Sequence, residues 1–311
     1  MKRLFRRRTR EGGWLAVSMR PDAVLFSHAV RDANDRVKVA RCGTRALRDP
    51  KDAERVAREL ELDRYQCLTL LSPDEYQLLL VEAPNVPAPE LKAAVRWRLK
   101  DMLDYHVDDA TIDVLDIPPA EANGARAHPM YAVAARNDTI RKCIDRFESA
   151  HIPLTVIDIA ETAQRNIAAL FETSGRGLAF LYVGEAGAML TVNFRTELYM
   201  ARRIEVGAAQ VAAEDEEARE EARGRLLLEL QRSFDHFERQ FPFAGVEKLM
   251  LGPERQDSGI AAYLGENLGM PVERASLESA LATEPGALGE DGGWTLFHVL
   301  GASLRSESKA L

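Results

Sequence analysis

VPAPELKAAVRWRLKDMLDYHVDDATIDVLDIP, residues 86–118, reads as an amphipathic helix that runs into an alternating strand. At 3.6 residues per turn Leu91, Val95, Leu99 and Met102 share one face, which should meet a core. Trp97 falls nearly opposite, beside Ala93, Lys100 and Asp104. A tryptophan on the side that should be wet has two readings: another element of the chain covers it, or it waits for a partner. Residues 110–117 alternate as a strand, and the flanking runs 76–82 and 130–135 are strands too, with a loop at 120–129 carrying Asn123-Gly124. A helix with three strands makes a compact body of roughly 60 residues, within the size range of a small domain. What flanks this body decides the fold.

On its N-terminal side, apolar runs at 15–18 and 24–28 are split by Met19-Arg20-Pro21-Asp22, the chemistry of a hairpin turn. Residues 37–42 supply a third strand. Asp49-Pro50 opens a helix with the acid as N-cap and proline at the first helical position, continued by Val56 and Leu60. Residues 67–71 read as a buried strand. On the C-terminal side, Asn137 and Asp138 can cap a helix whose inner face is Ile140, Ile144 and Phe147. A strand at 154–159 and a helix marked by Ile167, Leu170 and Phe171 complete this half, and Thr173-Ser174-Gly175-Arg176-Gly177 is the best domain boundary.

The second half repeats the first. Strands at 178–183, 188–194 and 198–204 precede a long helix with Leu226, Leu230, Phe234, Phe237 and Phe241 at helical spacing. Its early turns carry Glu214, Asp215, Glu216, Glu217, Glu220 and Glu221, where the helix dipole favours acids, so the run reads as a solvated face. A strand at 246–251, a helix at 260–268, a short strand at Val272 and a closing helix at 294–304 follow. Each half is therefore strand, strand, strand, helix, strand, helix, strand, helix, and the block from Tyr76 to Ala135 is spliced into the first after its fourth strand. Such duplication signals an internal repeat, and two like α/β domains facing each other leave a cleft between them. The expected organisation is a basic tail at 1–13, a first domain at 14–175 with an inserted subdomain at about 74–136, and a second domain at 176–311.

Composition is that of an ordinary globular protein of 311 residues, 46% hydrophobic and 29% charged. A net charge of −8 argues against nucleic acid as a general partner. The exception is MKRLFRRRTR at 1–10, where Lys2, Arg3, Arg6, Arg7, Arg8 and Arg10 surround Leu4 and Phe5. Such a segment can rest on an anionic membrane surface, or be a tail without a role. It lacks a signal-peptide apolar run, and no stretch is long and apolar enough to span a bilayer. Cys42, Cys67 and Cys143 are unpaired in pattern and read as reduced, mostly buried thiols; the six histidines lie at no zinc spacing, and no metal is assigned.

Four strings carry a family resemblance. LKAAVRWRLKDMLDYHVDDATIDVLDI (91–117), MYAVAARNDTIRKCIDRFESAHIPLTVIDIAETAQ (130–164), LLLELQRSFDHFERQFPFAGVEKLMLG (226–252) and HVLGASLR (298–305) resemble, in order and spacing, the PilM-type proteins of type IV pilus assembly, within the actin-like ATPase superfamily. The resemblance covers nearly the whole chain from Trp14. It implies an α/β, actin-like (ribonuclease-H-like, duplicated) fold whose insertion is a 1C-type subdomain. It also implies a cytoplasmic protein at the inner membrane that grips the cytoplasmic N-terminus of a PilN-type partner, with the assembly ATPase complex as a further partner.

An ATPase of this superfamily needs an acid and glycine at two phosphate hairpins and a glycine-rich turn for adenosine, since acids position metal and water and glycines let N–H groups approach phosphates. Here Ser18 stands for the first acid and Arg20 for the glycine, with Leu25 where a lysine is common. The second hairpin keeps Gly184 and Gly187 but has Tyr182 in the acid's place, and two glycines are also what a tight turn needs. At the third site Gly252-Pro253-Glu254-Arg255 replaces the glycine cluster; proline has no N–H to offer and Glu254 sets a negative charge near the ligand. The expectation is a degenerate, non-enzymatic scaffold without cofactor, with weak residual binding of ATP and Mg left open. No G-x-S-x-G, G-x-x-x-x-G-K-[S/T] or G-x-G-x-x-G element provides another chemistry, and Asp108-Asp109 and Asp113/Asp116 read as solvated. The alternatives are a nucleotide-binding ATPase that couples ATP to pilus or secretion-system assembly, and a polymer-forming filament protein. The expected partner site is the insertion helix and its groove against the first domain, with Leu91, Trp97 and Arg98 on the receiving surface.

Overall fold

The computed structural model describes residues 12–32, 36–49, 52–119, 128–173, 175–283 and 286–306; the basic segment 1–10, Pro50 of the first helix start and the Asn123-Gly124 loop lie outside them. In chain order the elements are β1 (Trp14–Met19), β2 (Ala23–Arg31), β3 (Val37–Ala46), α1 (Asp52–Glu59), β4 (Gln66–Leu70), β5 (Tyr76–Glu82), α2 (Leu91–Leu99), β6 (Ala110–Asp116), β7 (Pro129–Arg136), α3 (Asn137–Ser149), β8 (Leu154–Asp158) and α4 (Ala160–Ala168). There follow β9 (Gly177–Val183), β10 (Ala188–Phe194), β11 (Glu197–Ile204), α5 (Ala208–Val211), α6 (Glu216–Gln240), β12 (Val246–Leu251), α7 (Ile260–Asn267), β13 (Val272–Arg274), α8 (Leu277–Ala280) and α9 (Phe297–Ser303). Two compact units result: Met1–Leu70 with Ser149–Leu311, and Leu71–Glu148.

The larger unit holds two five-stranded sheets of one design, β3-β2-β1-β4-β8 and β11-β10-β9-β12-β13. In each, the first three strands in sequence pair antiparallel and the last two join in parallel. β9 and β10 are buried along their whole length, which is why they read as continuous apolar runs. α6 is opened by Asp215, whose carboxylate accepts from the Ala218 N–H at 2.8 Å, and buries Leu226, Leu230, Phe234 and Phe237. Ile167 of α4 and Leu300 of α9 share one core with residues of both sheets, among them Leu25, Leu68, Phe180 and Met250. The two helices touch backbone to backbone: a Cβ on Gly301 would lie 2.1 Å from the Ala163 carbonyl oxygen. The Ser27 and Ser303 hydroxyls meet at 2.9 Å nearby. The closing helix begins at Phe297 rather than at 294, because residues 286–296 form successive turns held by Asp291, which accepts from the N–H groups of Gly293 and Thr295.

The smaller unit is the antiparallel sheet β5-β7-β6 with α2 on one face. Val95 and Leu99 are fully buried against Val81, Met130, Ala132 and Ala134, and Leu91 packs partly buried on the same core. Met102 does not join them. α2 ends at Leu99, so the helical phase that placed Met102 inward no longer applies; Met102 is exposed, and Leu103 fills the core position. Asn137 is not a cap either: it lies inside α3 and its side chain ties to β6, accepting from Thr111 Oγ1 at 2.8 Å and donating to the Asp108 carbonyl at 3.0 Å.

The three cysteines are free. Cys67 is buried, and burial pushes the Cys143 thiol up to about 11.

Candidate functional site

The sequence-derived nucleotide positions all lie in the larger unit, where the charge of Arg20 reaches Tyr182 and Gly252 packs beside its ring. In the first hairpin, Arg20 closes the turn by donating its N–H to the Ala23 carbonyl at 2.8 Å, and its side chain is exposed. Ser18 is half-buried at the end of β1, and Leu25 is buried in the core. In the second, the Gly184 N–H is spent on the Gly187 carbonyl at 2.9 Å. A Cβ on Gly187 would come within 2.8 Å of the Ile204 oxygen, so the chain's own backbone demands that glycine. Gly207, not singled out from sequence, obeys the same rule: its Cβ would stand 2.4 Å from the Glu185 oxygen.

Tyr182, read from the sequence as standing where an acid would be, is a buried aromatic group. Its ring stacks on Phe297 (centroids 4.3 Å apart, 4° between planes), and Phe297 stacks on Phe180 at 5.6 Å. Its hydroxyl donates to the Trp294 carbonyl at 2.9 Å, and the Trp294 indole N–H returns a bond to the Val183 carbonyl at 2.9 Å. Burial raises the phenol's pKa, with the positive charge of Arg20 opposing. Gly252 packs beneath: a Cβ there would lie 3.2 Å from the Phe180 ring and 3.3 Å from that of Tyr182.

Beside the stack, His298 has a buried Nε2 without a hydrogen-bond partner among the described residues. Burial, then the charges of Arg20 and Arg203, pull its pKa down to about 4. Arg203 in turn holds Glu161, a carboxylate 1% exposed, at 2.8 Å. Sequence reasoning missed this pair; its signal was Glu161, an acid set among the apolar and small residues of the IDIAETAQ string alongside Asp158. At the third turn, Glu254 accepts from the Ser258 N–H at 3.2 Å and lies 3.4 Å from Arg274, which also meets Asp257 at 2.5 Å. A cavity of about 340 Å³ opens there, with Glu254, Asp257, Glu278, Glu290 and Asp291 outnumbering Arg274 in its lining. An acidic lining disfavours a polyphosphate by like-charge repulsion and favours a cation. Among the described residues no group of three or more histidine, cysteine, aspartate or glutamate side chains is placed so that it could hold a metal ion.

In the smaller unit, Trp97 is 75% exposed on α2. Arg98 donates to the Glu82 carbonyl at 2.8 Å and approaches the Glu82 carboxylate at 3.6 Å. Leu91 turns to the inner face, so the structure separates it from Trp97. Of the acids flagged in sequence, Asp113 pairs with Lys92 at 2.8 Å and Asp108 with Arg96 at 3.5 Å at the surface, and the Asp116 carboxylate lies 2.8 Å from His128 Nε2.

No family model matches the chain, and no curated protein does. Among solved structures, a chain of the PilM–PilN type IV pilus biogenesis complex is similar with a TM-score of 0.72 at 17% identity, over 94% of this chain and 97% of that one. The cytoplasmic domain of EpsL, an inner membrane component of the type II secretion system of Vibrio cholerae, is similar with a TM-score of 0.50 at 15% identity, over 89% and 98%. A Bacteroides thetaiotaomicron protein of actin-like ATPase fold and unknown function gives 0.47 at 9% identity, over 91% and 95%. At such identities the likeness is one of fold, and the fold is the actin-like α/β fold.

Proposed function

We propose that this chain is an assembly component of a type IV pilus or related secretion machine, a scaffold at the inner membrane that docks the cytoplasmic N-terminal peptide of a PilN-type partner. The observation that carries this reading is the agreement in fold, over nearly the full length of both chains, with a chain of the PilM–PilN complex. The string at 76–105, YQLLLVEAPNVPAPELKAAVRWRLKDMLDY, is similar to that of MshI, which makes the MSHA-type pilus the system of choice. The nucleotide site is read as degenerate. Supporting this are a phenol where an acid would hold metal, glycines consumed by the chain's own turns, and the acidic third turn. The basic segment 1–10 holds the protein against the membrane surface.

Trp97 is the docking residue of choice, because a largely exposed tryptophan on a folded helix is the side chain most apt to anchor a peptide. Titration calorimetry with the PilN-type N-terminal peptide should show binding that weakens roughly 30-fold or more in Trp97→Ala, as for a hot-spot anchor. Unchanged affinity in the folded variant removes Trp97 from the site, and no binding to the wild type removes the scaffold reading. Calorimetry with Mg-ATP at high protein concentration separates the alternative: tight binding would favour an ATPase that couples nucleotide to assembly.

A further inference from the structure

We infer that the outward stripe of α6 is the interface of a symmetric dimer, in which a second copy of this chain lays its own α6 antiparallel against it. The helix runs 25 residues from Glu216 to Gln240, about 37 Å at 1.5 Å per residue. Its inner face buries Leu226, Leu230, Phe234 and Phe237. At 3.6 residues per turn the opposite stripe passes through Glu217, Glu221, Gly224 and Leu228, then Arg232, Asp235 and Arg239. All of these are exposed except Gly224, which is half-buried.

Leu228 stands at the middle of the stripe and is 45% exposed, beside Phe243 the only large apolar side chain so open in the larger unit among the described residues. One turn before it lies Gly224. A glycine inside a helix weakens it relative to alanine. This one answers no demand of its own chain: outside the helix backbone, no atom stands within 4 Å of the place its Cβ would take. Gly187, Gly207 and Gly301, by contrast, are each required by a carbonyl oxygen of the same unit. A protruding leucine beside an open notch puts a knob and a hole on one surface. A twofold axis across the helix seats each Leu228 in the Gly224 notch of the other copy, so a single patch supplies both halves of the contact.

Charge sets the direction. N-terminal to Leu228 the stripe carries Glu217 and Glu221, neither ion-paired among the described residues, while Arg225 at its edge turns aside to the Glu205 carbonyl at 3.1 Å. C-terminal to Leu228 come Arg232 and Arg239 with Asp235 between them. Arg232 meets Glu229 of its own helix at 2.9 Å, and Arg239 has no carboxylate partner among the described residues. A parallel pair would set acid against acid. An antiparallel pair sets Glu217 and Glu221 against the half where two arginines outnumber one acid, and it also opposes the helix dipoles. A second copy is the occupant that fits, because the stripe complements itself in shape and in charge, whereas a uniformly acidic or basic partner would match only one half of it.

The test is sedimentation equilibrium of the full chain over a range of concentrations, without nucleotide or partner peptide. The wild type should follow a monomer–dimer equilibrium that weakens as salt rises. Leu228→Glu should weaken it about thirtyfold or more, with the melting temperature of the dilute protein unchanged. Gly224→Ala separates the interface from the fold: its dimer should be about tenfold weaker, while the dilute monomer melts higher than wild type. Glu217→Arg/Glu221→Arg and Arg232→Glu/Arg239→Glu should each lose about tenfold, and the chain carrying all four substitutions should regain most of the association. A wild type that is monomeric at every concentration overturns the proposal, and so does a Gly224→Ala chain that associates as well as the wild type. Stronger association in Glu217→Arg/Glu221→Arg, or no recovery in the fourfold variant, overturns the antiparallel arrangement. Oligomers that survive Leu228→Glu place the contact between copies on another surface.

Discussion

Tyr182→Phe removes one oxygen and leaves the stack on Phe297 and Phe180 in place, so it isolates the bond to the Trp294 carbonyl. Tyr182 and Trp294 are 8% and 5% exposed, and water cannot readily replace the lost donor. A buried carbonyl left without its partner costs about 2 kcal/mol. For a unit of this size that corresponds to a fall of roughly 4–8 °C in melting temperature. Trp294→Phe removes the reciprocal bond from the indole to the Val183 carbonyl. The two bonds close one ring of contacts between β9 and the segment before α9, so once either is lost the other is worth less. The double variant should therefore lose less than the sum of the two single losses, by about 0.5–1 kcal/mol. Scanning calorimetry at neutral pH on the four proteins measures this directly. Because burial holds the phenol above its ordinary range, absorbance near 295 nm should show no tyrosinate at this position until the unit unfolds. A melting temperature within 1 °C of wild type for Tyr182→Phe, or strictly additive losses, would falsify the latch.

His298 gives a pH dependence of definite sign. Folded, its pKa is about 4; unfolded, it returns to 6.5, so the unfolded chain binds the extra proton between those values. The stability tied to neutral His298 is complete above about pH 6.5, falls as pH drops, and is gone below about 4, a total of about 3 kcal/mol; urea titrations across that window should lose this slope in His298→Asn. Gly301→Ala should destabilise by 3 kcal/mol or more, beyond ordinary overpacking, because the new methyl would meet the Ala163 carbonyl at 2.1 Å and α4 and α9 must separate; a gain in stability, the usual result of glycine to alanine in a helix, would refute the crossing. Leu99→Ala should cost about 2–5 kcal/mol and speed amide exchange in β5, β6 and β7 before it does so in β9 and β10, since Leu99 lies wholly in the core of the smaller unit.

What was legible in the sequence was local. Period-two alternation and turn residues, signals of fewer than ten residues each, revealed the strands of both halves, and their repeated order along the chain revealed the duplicated sheets. Val95 and Leu99 were placed correctly from helical phase, and Trp97 was placed outward. Met102 failed because nothing in Lys100-Asp101-Met102 announces the end of α2: no glycine or proline stands there, and the helix stops where the core of the smaller unit is filled. The site failed for a different reason. Tyr182 and Trp294 are separated by 112 residues, Glu161 and Arg203 by 42, and Gly301 is demanded by a carbonyl at Ala163. Side chains that owe their roles to such distant neighbours look like ordinary aromatics, acids and small residues in a string. The resemblance supplied the place of Tyr182, but only the structure supplies its partners.

Those partners bear on the affinity for nucleotide. If the second hairpin is a degenerate nucleotide site, as proposed, a ligand whose phosphates approach it would have to move the Tyr182 ring off Phe297 and break the hydroxyl bond to Trp294, which would also free the indole from Val183. Re-exposing a buried aromatic ring costs about 2 kcal/mol, and two buried hydrogen bonds add about 1 kcal/mol each. If the open arrangement lies about 4 kcal/mol above the closed one, roughly one molecule in a thousand is competent, and a site of micromolar intrinsic affinity would read as millimolar. The acids around Glu254 push the same way. On the reading of a degenerate site, the residue that offers no carboxylate to a metal is also the one whose stack would close the place where the metal would sit. Tyr182→Ala tests the argument, since it removes the closure without restoring the acid. If ATP then binds at least tenfold more tightly than to wild type, the stack is what keeps nucleotide out; if it binds no better, the missing carboxylate is.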